Sequence, residues 1–244
     1  MENSSGRLVQ SGTSASSTKL VGRAFEQDMK VIRSWLMDDE VSTIGIYGMG
    51  GVGKTTMLQH ICNELLERQD ISHGVYWVNV PQGFKIEELQ DLIAKCLHLD
   101  LSSKDDDLSR AVKLAKELAK KQKWILILDD LWNNFELHKV GIPEKLEGCK
   151  LIITTRSKEV CRRMDCRNNI IVNPLSDEEA WILFREILGH DTHLSTEVEQ
   201  IAKSITKECD GLPLGIKTMA GTMRGVVDVR EWRNVVGGIE RIKG

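Results

Sequence analysis

The sequence has no excess of positive charge. Its 244 residues include 33 Lys and Arg against 36 Asp and Glu, which gives a net charge of −3. A chain with this balance lacks the overall basic field that draws a protein to nucleic acid or to an anionic membrane surface. We therefore expect no nucleic-acid partner.

Long apolar runs and paired cysteines are missing as well. No apolar segment approaches the span of about 20 residues that a membrane helix needs. The first residues also lack the basic-then-apolar order of a signal peptide. The six cysteines form no Cys-x-x-Cys pair, and several lie in apolar segments. These absences predict no membrane span, reduced thiols that pack as small apolar side chains, and a cytoplasmic location.

The composition is that of an ordinary globular chain, with 41% hydrophobic and 28% charged residues. This is enough for one α/β domain and a smaller companion with its own core. Residues 1–19 are rich in Ser, Gly and Thr without apolar periodicity, so we interpret them as a flexible linker joined to a segment further upstream. We expect a nucleotide-binding domain over residues 20–173 and a helical bundle over residues 174–244.

Short β-rich runs alternate with helical patterns in the first of these domains. The runs are Thr43–Tyr47, Val75–Val80, Trp124–Asp129, Leu151–Thr155 and Ile170–Val172. This alternation is typical of a parallel sheet covered by helices, a three-layer α/β fold. Beyond it, helical patterns follow one another and predict a small all-α bundle. Ser176 and Glu179 form a capping box for its first helix, and Pro213 lies at the start of a later one.

The most specific motif spans residues 48–56, Gly-Met-Gly-Gly-Val-Gly-Lys-Thr-Thr, between a strand pattern and a helical pattern. Glycines let successive backbone N–H groups face a phosphate, and the following helix directs its positive end at the anion. Lys54 is expected to reach the β- and γ-phosphates, and Thr55 to offer its hydroxyl to Mg²⁺. The candidate phosphate-binding residues are Gly50, Gly51, Val52, Gly53, Lys54, Thr55 and Thr56. The motif predicts a nucleoside triphosphate site.

The third strand ends in two carboxylates. An unbroken apolar run over residues 124–128 is followed by Asp129 and Asp130, at the sheet edge where loops gather. Asp129 is expected to hold Mg²⁺, directly or through a water molecule. Asp130 is the candidate catalytic residue, near the γ-phosphate, where it could orient the attacking water. A simple turn or helix cap is the alternative for an isolated Asp-Asp pair.

The identity of residue 130 bears on the rate of hydrolysis. Many fast P-loop ATPases carry Glu after the metal-binding Asp, and the side chain of Asp130 is one methylene shorter than that of Glu. Its carboxylate would lie roughly 1 to 1.5 Å short of an in-line water, which can cost on the order of 100-fold in rate. We expect slow turnover.

The fourth strand ends in Thr154, Thr155 and Arg156. A guanidinium presents several donors in a rigid fork and keeps its charge, so Arg156 is a candidate sensor of the γ-phosphate. The alternative is a surface arginine paired with a nearby acid.

Five motifs occur together in one order. They are Val-Gly-Arg at 21–23, the loop at 48–56, Leu-Asp-Asp-Leu-Trp at 128–132, Thr-Thr-Arg at 154–156 and Gly-Leu-Pro-Leu at 211–214. In this order and spacing they resemble the NB-ARC module of plant intracellular disease-resistance receptors, which are P-loop ATPases of the STAND type. The resembling receptors are those of the coiled-coil, leucine-rich-repeat class.

The resemblance implies further properties. The ligands would be ADP or ATP with Mg²⁺, and the sheet would have the strand order 5-1-4-3-2. Val21 and Arg23 would contact the adenine, and Pro213, followed by Leu214, would close over the base or ribose. The domain would be ADP-bound at rest, ATP-bound when active, and reset by slow hydrolysis.

In such a receptor the partners would be a coiled coil, a winged helix and leucine-rich repeats, with oligomerisation on activation. The winged-helix subdomain, whose Met-His-Asp motif contacts ADP in the family, is not in this sequence, so we expect faster nucleotide exchange than in an intact receptor. Two other function classes stay open. One is a stand-alone ATPase or phosphotransferase, and the other is an oligomerisation scaffold that nucleotide merely stabilises.

Overall fold

The computed structural model describes residues 22–67, 74–102, 105–121, 123–144, 147–189 and 194–235. The expected linker at 1–19 and the candidate adenine contact Val21 lie outside these ranges. The chain divides into two compact units. Among the described residues, the first unit comprises 28–48 and 54–171, and the second comprises 22–27, 49–53 and 172–235.

The first unit is built on a five-stranded parallel sheet. Its strands are β1 (Thr43–Tyr47), β2 (Gly74–Asn79), β3 (Trp124–Asp129), β4 (Lys150–Thr155) and β5 (Asn168–Ile171). The order across the sheet is β2-β3-β4-β1-β5 with parallel pairing throughout. Read from the other edge this is 5-1-4-3-2, so the order implied by the resemblance is confirmed. Every residue of β3 and β4 is buried, as expected for strands covered on both faces.

The helices of the first unit surround this sheet in sequence. They are α1 (Arg23–Met37, which begins in the second unit), α2 (Lys54–Glu67), α3 (Ile86–Cys96), α4 (Asp107–Lys120), α5 (Leu137–Val140) and α6 (Lys158–Arg163). Among the described residues, none of the helices combines the length and the apolar character that crossing a bilayer requires.

A buried arginine joins three of these helices. The Arg110 guanidinium is only 2% exposed, and its Nε donates to Gln90 Oε1 at 2.9 Å. The Gln90 side-chain amide in turn donates to the carbonyl oxygens of Asp107 and Lys139, each at 2.9 Å. Since a buried charge must be hydrogen-bonded to be tolerated, this network fixes α3 against α4 and α5.

The second unit is helical. It contains α7 (Asp177–Leu188), α8 (Thr196–Glu208) and α9 (Pro213–Met223), and residues 229–235 are also helical. Buried side chains from each helix, among them Phe184, Ile205, Ile216 and Trp232, form its core. The predicted all-α character of this region, the capping box at Ser176 and Glu179, and the initial position of Pro213 in α9 are confirmed.

The six cysteines are free thiols, as expected. Cys62, Cys149, Cys161 and Cys166 are buried among apolar residues. Burial raises the pKa of the Cys62 and Cys166 thiols to about 12 and that of Cys161 to about 11. These thiols therefore pack as small apolar side chains and stay protonated at neutral pH.

Candidate functional site

The loop between β1 and α2 turns sharply at glycine positions. Gly51 and Gly53 have φ values of 77° and 107°, a backbone conformation that glycine adopts at little cost. The Gly48 N–H donates to the Thr155 carbonyl at 3.2 Å, which fixes the start of the loop against the end of β4. The Val52 N–H donates back to Met49 O at 3.4 Å. This is the sharp, glycine-dependent turn that a phosphate-binding loop requires.

Gly51 also contacts Leu214 within the second unit. The Leu214 N–H donates to the Gly51 carbonyl at 3.2 Å. A β-carbon built on Gly51 would lie 3.0 Å from Leu214 Cβ, so a side chain there would press on α9. Two residues predicted from separate motifs are therefore in contact.

Lys54 is the first residue of α2 and is only 7% exposed. Its Nζ donates to the Gly48 carbonyl at 2.8 Å. Burial lowers the pKa of the Lys54 ammonium, Asp130 and Asp129 act in the opposite direction, and Arg156 adds to the lowering. A cation whose burial is only partly compensated has the electrostatic setting that favours an incoming anion.

Asp129 and Thr55, the two predicted Mg²⁺ ligands, lie together. Asp129 is 5% exposed at the end of β3, and the Thr55 hydroxyl donates to its two carboxylate oxygens at 3.2 and 3.0 Å. The Thr154 hydroxyl also donates to Asp129 Oδ1. Carboxylate and hydroxyl oxygens are the ligand type that Mg²⁺ prefers, so the donor set fits this ion.

Thr154 is a site residue that the sequence reasoning did not single out. Besides its bond to Asp129, its hydroxyl oxygen accepts from the Asp130 N–H at 2.8 Å. The available signal was its place in the Thr-Thr-Arg motif, at the end of a strand that pairs with β3. Thr154 therefore ties the ends of β3 and β4 together.

Asp130 and Arg156 form an ion pair, with Arg156 Nε 3.6 Å from Asp130 Oδ1. Trp132 touches both. Its indole N–H donates to Asp130 Oδ2 at 3.2 Å, and its ring centroid is 4.4 Å from the central carbon of the Arg156 guanidinium. The pairing with a nearby acid, the alternative interpretation of Arg156, is thus present, and the acid is the candidate catalytic residue. Trp132 was missed, although it closes the Leu-Asp-Asp-Leu-Trp motif.

The remaining residues predicted to bind nucleotide each lie within one unit or the other. Thr56 is half-buried in the first turn of α2. Arg23 and Pro213 belong to the second unit, where the Arg23 N–H donates to Glu179 Oε1 at 2.8 Å and Pro213 begins α9. Gly50 is half-buried and Val52 is buried in the loop.

The NB-ARC domain family matches residues 25–193 of the chain. The chain is 38% identical over 205 residues to the Probable disease resistance protein At5g43730 of Arabidopsis thaliana, covering 82% of this chain and 24% of that protein. It is 36% identical over 218 residues to the Disease resistance protein UNI of the same plant, covering 86% of this chain and 24% of that protein. The chain thus spans about a quarter of the length of these relatives.

Solved structures share the fold at low identity. Cdc6p from Pyrobaculum aerophilum superposes with a TM-score of 0.63 at 15% identity, over 91% of this chain and 66% of that one. The Aeropyrum pernix ORC2 protein, solved in ADPNP–ADP complexes, gives 0.60 at 15% identity, over 93% and 70%. These similarities confirm the P-loop α/β fold.

Proposed function

Since this chain belongs to the NB-ARC domain family, a P-loop nucleotide-binding class, we propose that it is the ADP/ATP switch of a plant innate immune receptor. Membership confirms the family that the five motifs indicate. In the proposed cycle the domain holds ADP at rest and ATP when active, and slow ATP hydrolysis resets it. The relatives named as disease resistance proteins support the receptor context.

The observation that carries the proposal is the arrangement of Lys54, Thr55 and Asp129 after the glycine loop. A buried ammonium and a buried carboxylate with a hydroxyl donor are costly in a fold unless they serve a ligand or a network. These groups match the phosphate tail of a nucleotide and its metal ion in charge and in donor type. Bound Mg²⁺ would supply positive charge to the phosphates.

The chain's own residues would divide the work. Lys54 would neutralise the phosphates, Thr55 and Asp129 would hold Mg²⁺, and Asp130 would orient water for hydrolysis. Arg156 would read the γ-phosphate. A ligand that shifts a conformational equilibrium must interact differently with its two states, and a group that contacts only the third phosphate provides such a difference.

The base contacts are a separate part of the proposal. Val21, Arg23, Pro213 and Leu214 are proposed to contact the adenine or ribose, as the family resemblance implies. The Arg23 backbone is fixed by Glu179 and Leu214 by Gly51, so two of these positions are held by hydrogen bonds within the second unit.

Slow hydrolysis is favoured over a working ATPase or phosphotransferase. Both carboxylate oxygens of Asp130 are already engaged, one by Arg156 and one by Trp132. A carboxylate with one oxygen held by Trp132 and the other shared with Arg156 is restricted in orienting water, which favours slow turnover. The scaffold alternative, in which nucleotide is only a structural ligand, has no specific observation in its favour.

The proposed partners are the other domains of a full receptor. Because the chain spans about a quarter of its relatives, we propose that a coiled coil, a winged helix and leucine-rich repeats accompany it in a full receptor. Oligomerisation on activation and a cytoplasmic location belong to the same proposal.

Titration calorimetry with ADP and a non-hydrolysable ATP analogue, each with Mg²⁺, tests nucleotide binding. Lys54→Met should weaken ADP binding by about 10- to 100-fold, because charged hydrogen bonds contribute about 1.5–3 kcal/mol each. The fold should persist, since Met keeps most of the apolar stem of the Lys54 side chain and burial, which lowers the pKa of the Lys54 ammonium, opposes its charged form. Lys116→Met, at an exposed position of α4, is the matched control and should bind as wild type. Folded wild-type protein that takes up neither ligand would refute the proposal.

A further inference from the structure

Trp132, Asp130 and Arg156 form a closed set of three side chains in the first unit. Each touches the other two: Asp130 accepts from Trp132 at 3.2 Å, Arg156 lies 3.6 Å from Asp130, and the central carbon of the guanidinium lies over the indole ring, 4.4 Å from its centroid. Asp130 and Arg156 have separate proposed roles, yet neither can act on a nucleotide while fully engaged with the other. Trp132 is the member without a role so far.

The backbone under this set is fixed. Asp130 has a φ of 58°, which is uncommon for a residue with a side chain and persists when the surroundings hold it. Thr154 holds it from both sides, since its hydroxyl accepts from the Asp130 N–H and its carbonyl accepts from the Leu131 N–H, each at 2.8 Å. The carboxylate of Asp130 is therefore directed toward Arg156 and Trp132 by the main chain.

The contact between Asp130 and Arg156 is weak enough to exchange. Their side chains are 45% and 49% exposed, and an ion pair at such exposure contributes little. A phosphate oxygen carries more charge and accepts charge-assisted hydrogen bonds from guanidinium. The cation–π contact with Trp132 does not compete with this exchange, because the indole offers its π face and accepts no conventional hydrogen bond, which leaves guanidinium N–H groups available for a phosphate.

We propose that Trp132 is a positioning residue for nucleotide discrimination. Its ring face orients the Arg156 guanidinium, and its indole N–H holds the Asp130 carboxylate in place. Arg156 can then exchange its contact with Asp130 for one with a third phosphate while its guanidinium stays oriented. The proposal rests on the switch function above and adds the residue that gives the sensor its direction. It predicts that Trp132 affects the affinity for a triphosphate and not the affinity for a diphosphate.

The test compares the affinities of folded variants for ADP and for a non-hydrolysable ATP analogue by calorimetry. Trp132→Leu removes the ring face and should weaken binding of the analogue by about 3- to 10-fold, with ADP affinity unchanged within about 2-fold. Trp132→Phe keeps a smaller ring face and loses the N–H donor, so it should restore most of the analogue affinity. In Arg156→Ala, the further change of Trp132 to Leu should have no added effect, since the two residues act through one contact.

Arg156→Lys provides a second, conservative variant at an exposed position. It keeps the charge and loses the planar group that stacks, so it should share the loss seen in Trp132→Leu. Wild-type analogue affinity in Trp132→Leu or Arg156→Lys, or additive losses in the double variant, would overturn the inference while leaving ADP binding and the switch proposal intact. Failure of wild-type protein to bind ADP would instead remove the switch proposal, and the inference with it.

Discussion

At the scale of single residues, Asp129 is the group on which the metal dependence of the site should rest. It is buried, and its two partners are hydroxyl groups that donate to it. Because no cationic side chain is hydrogen-bonded to this carboxylate in the described part of the chain, its charge is available to a metal ion.

Asp129→Asn keeps the shape of the side chain and removes its charge. We expect the Mg²⁺-dependent part of ADP affinity to be lost, with affinity in EDTA changed by no more than about 3-fold, because the ion prefers carboxylate ligands. Calorimetry with and without Mg²⁺ measures both. Asp165→Asn is the matched control, since Asp165 is exposed and Asn tolerates its φ of 51°. Undiminished Mg²⁺ dependence in Asp129→Asn would contradict the metal assignment.

The sequence predicted Lys54, Thr55 and Asp129 because a motif with fixed spacing determines both residue type and position on the fold. The roles of Thr154 and Trp132 could not be predicted from a motif, for a physical reason. Their contacts depend on which strands are neighbours and on which rotamers the side chains adopt, and neither can be read from one strand alone. Once β4 is placed beside β3, the hydroxyl of Thr154 reaches Asp129.

At the scale of elements, the turn before α9 depends on Gly211. This residue has a φ of 68°, and a β-carbon built on it would lie 2.2 Å from the Leu175 carbonyl oxygen. Its own carbonyl accepts from the Leu175 N–H at 2.9 Å. The glycine of the Gly-Leu-Pro-Leu motif is thus required by close approach of two backbones.

Gly211→Ala should lower the free energy of unfolding by about 1–3 kcal/mol or more, through overpacking and an unfavourable φ. Gly221→Ala is the control, because Gly221 lies within α9 with no atom near the added methyl group. Alanine there should be neutral or should stabilise by about 0.5–1 kcal/mol. Denaturant titration followed by circular dichroism distinguishes them. Equal stabilities of the two variants would be inconsistent with the described turn.

Glu179 links two helix starts in the second unit. Its Oε2 accepts from the Ser176 N–H at 3.0 Å and its Oε1 from the Arg23 N–H at 2.8 Å. These backbone hydrogen bonds hold the pKa of the Glu179 carboxyl below its ordinary value, and the bond from Ser176 has the larger effect. A carboxylate with a depressed pKa stabilises the fold above its unfolded-state pKa, and this contribution is lost as the pH falls through the folded-state pKa.

Glu179→Gln should therefore lower stability at pH 7, by about 1 kcal/mol as for the loss of a helix cap. The difference from wild type should shrink as the pH is lowered from about 4.3, the ordinary pKa of Glu, through the lower pKa of folded Glu179. Glu178→Gln, an exposed neighbour in the same helical turn, controls for the loss of one charge near the helix start. Thermal unfolding across this pH range gives the comparison. A difference that stays constant with pH would count against the assigned hydrogen bonds.

The elements themselves were largely predictable. Apolar runs fixed β1 and β3 to the residue, and capping chemistry fixed the start of α7. β5 begins at Asn168 rather than Ile170, because its pairing with β1 uses backbone groups and extends over two asparagines that have little β-propensity. Pairing partners, which a local pattern does not contain, decide such boundaries.

At the scale of the whole molecule, the division into units follows contacts rather than chain order. Residues 49–53 of the phosphate-binding loop group with the second unit, while Lys54, Thr55 and Asp129 belong to the first. Nucleotide binding through Lys54, Thr55 and Asp129 should therefore be visible in the first unit taken by itself.

Hydrogen exchange measures this directly. At ADP concentrations about 100-fold above Kd, bound protein gains about 2.7 kcal/mol over unfolded protein. We expect slower exchange in β3 and β4 of the first unit, because Asp129 ends β3 and Thr154, whose hydroxyl donates to Asp129, lies in β4. Lys54→Met at the same ADP concentration is the control and should gain only about 0.4–1.4 kcal/mol, because its Kd is expected to be about 10- to 100-fold higher. Unchanged exchange in β3 and β4 of the wild-type protein at this ADP concentration would contradict binding through these residues.

The buried thiols of Cys62, Cys161 and Cys166 are native reporters of local opening in the first unit. Their raised pKa values and their burial make them almost inert to alkylating reagents while the first unit stays closed. Alkylation must then wait for opening, so the labelling rate of these native side chains records how often the sheet region loosens. A bound ligand that slows this opening would lower the alkylation rate, and the measurement needs no engineered probe.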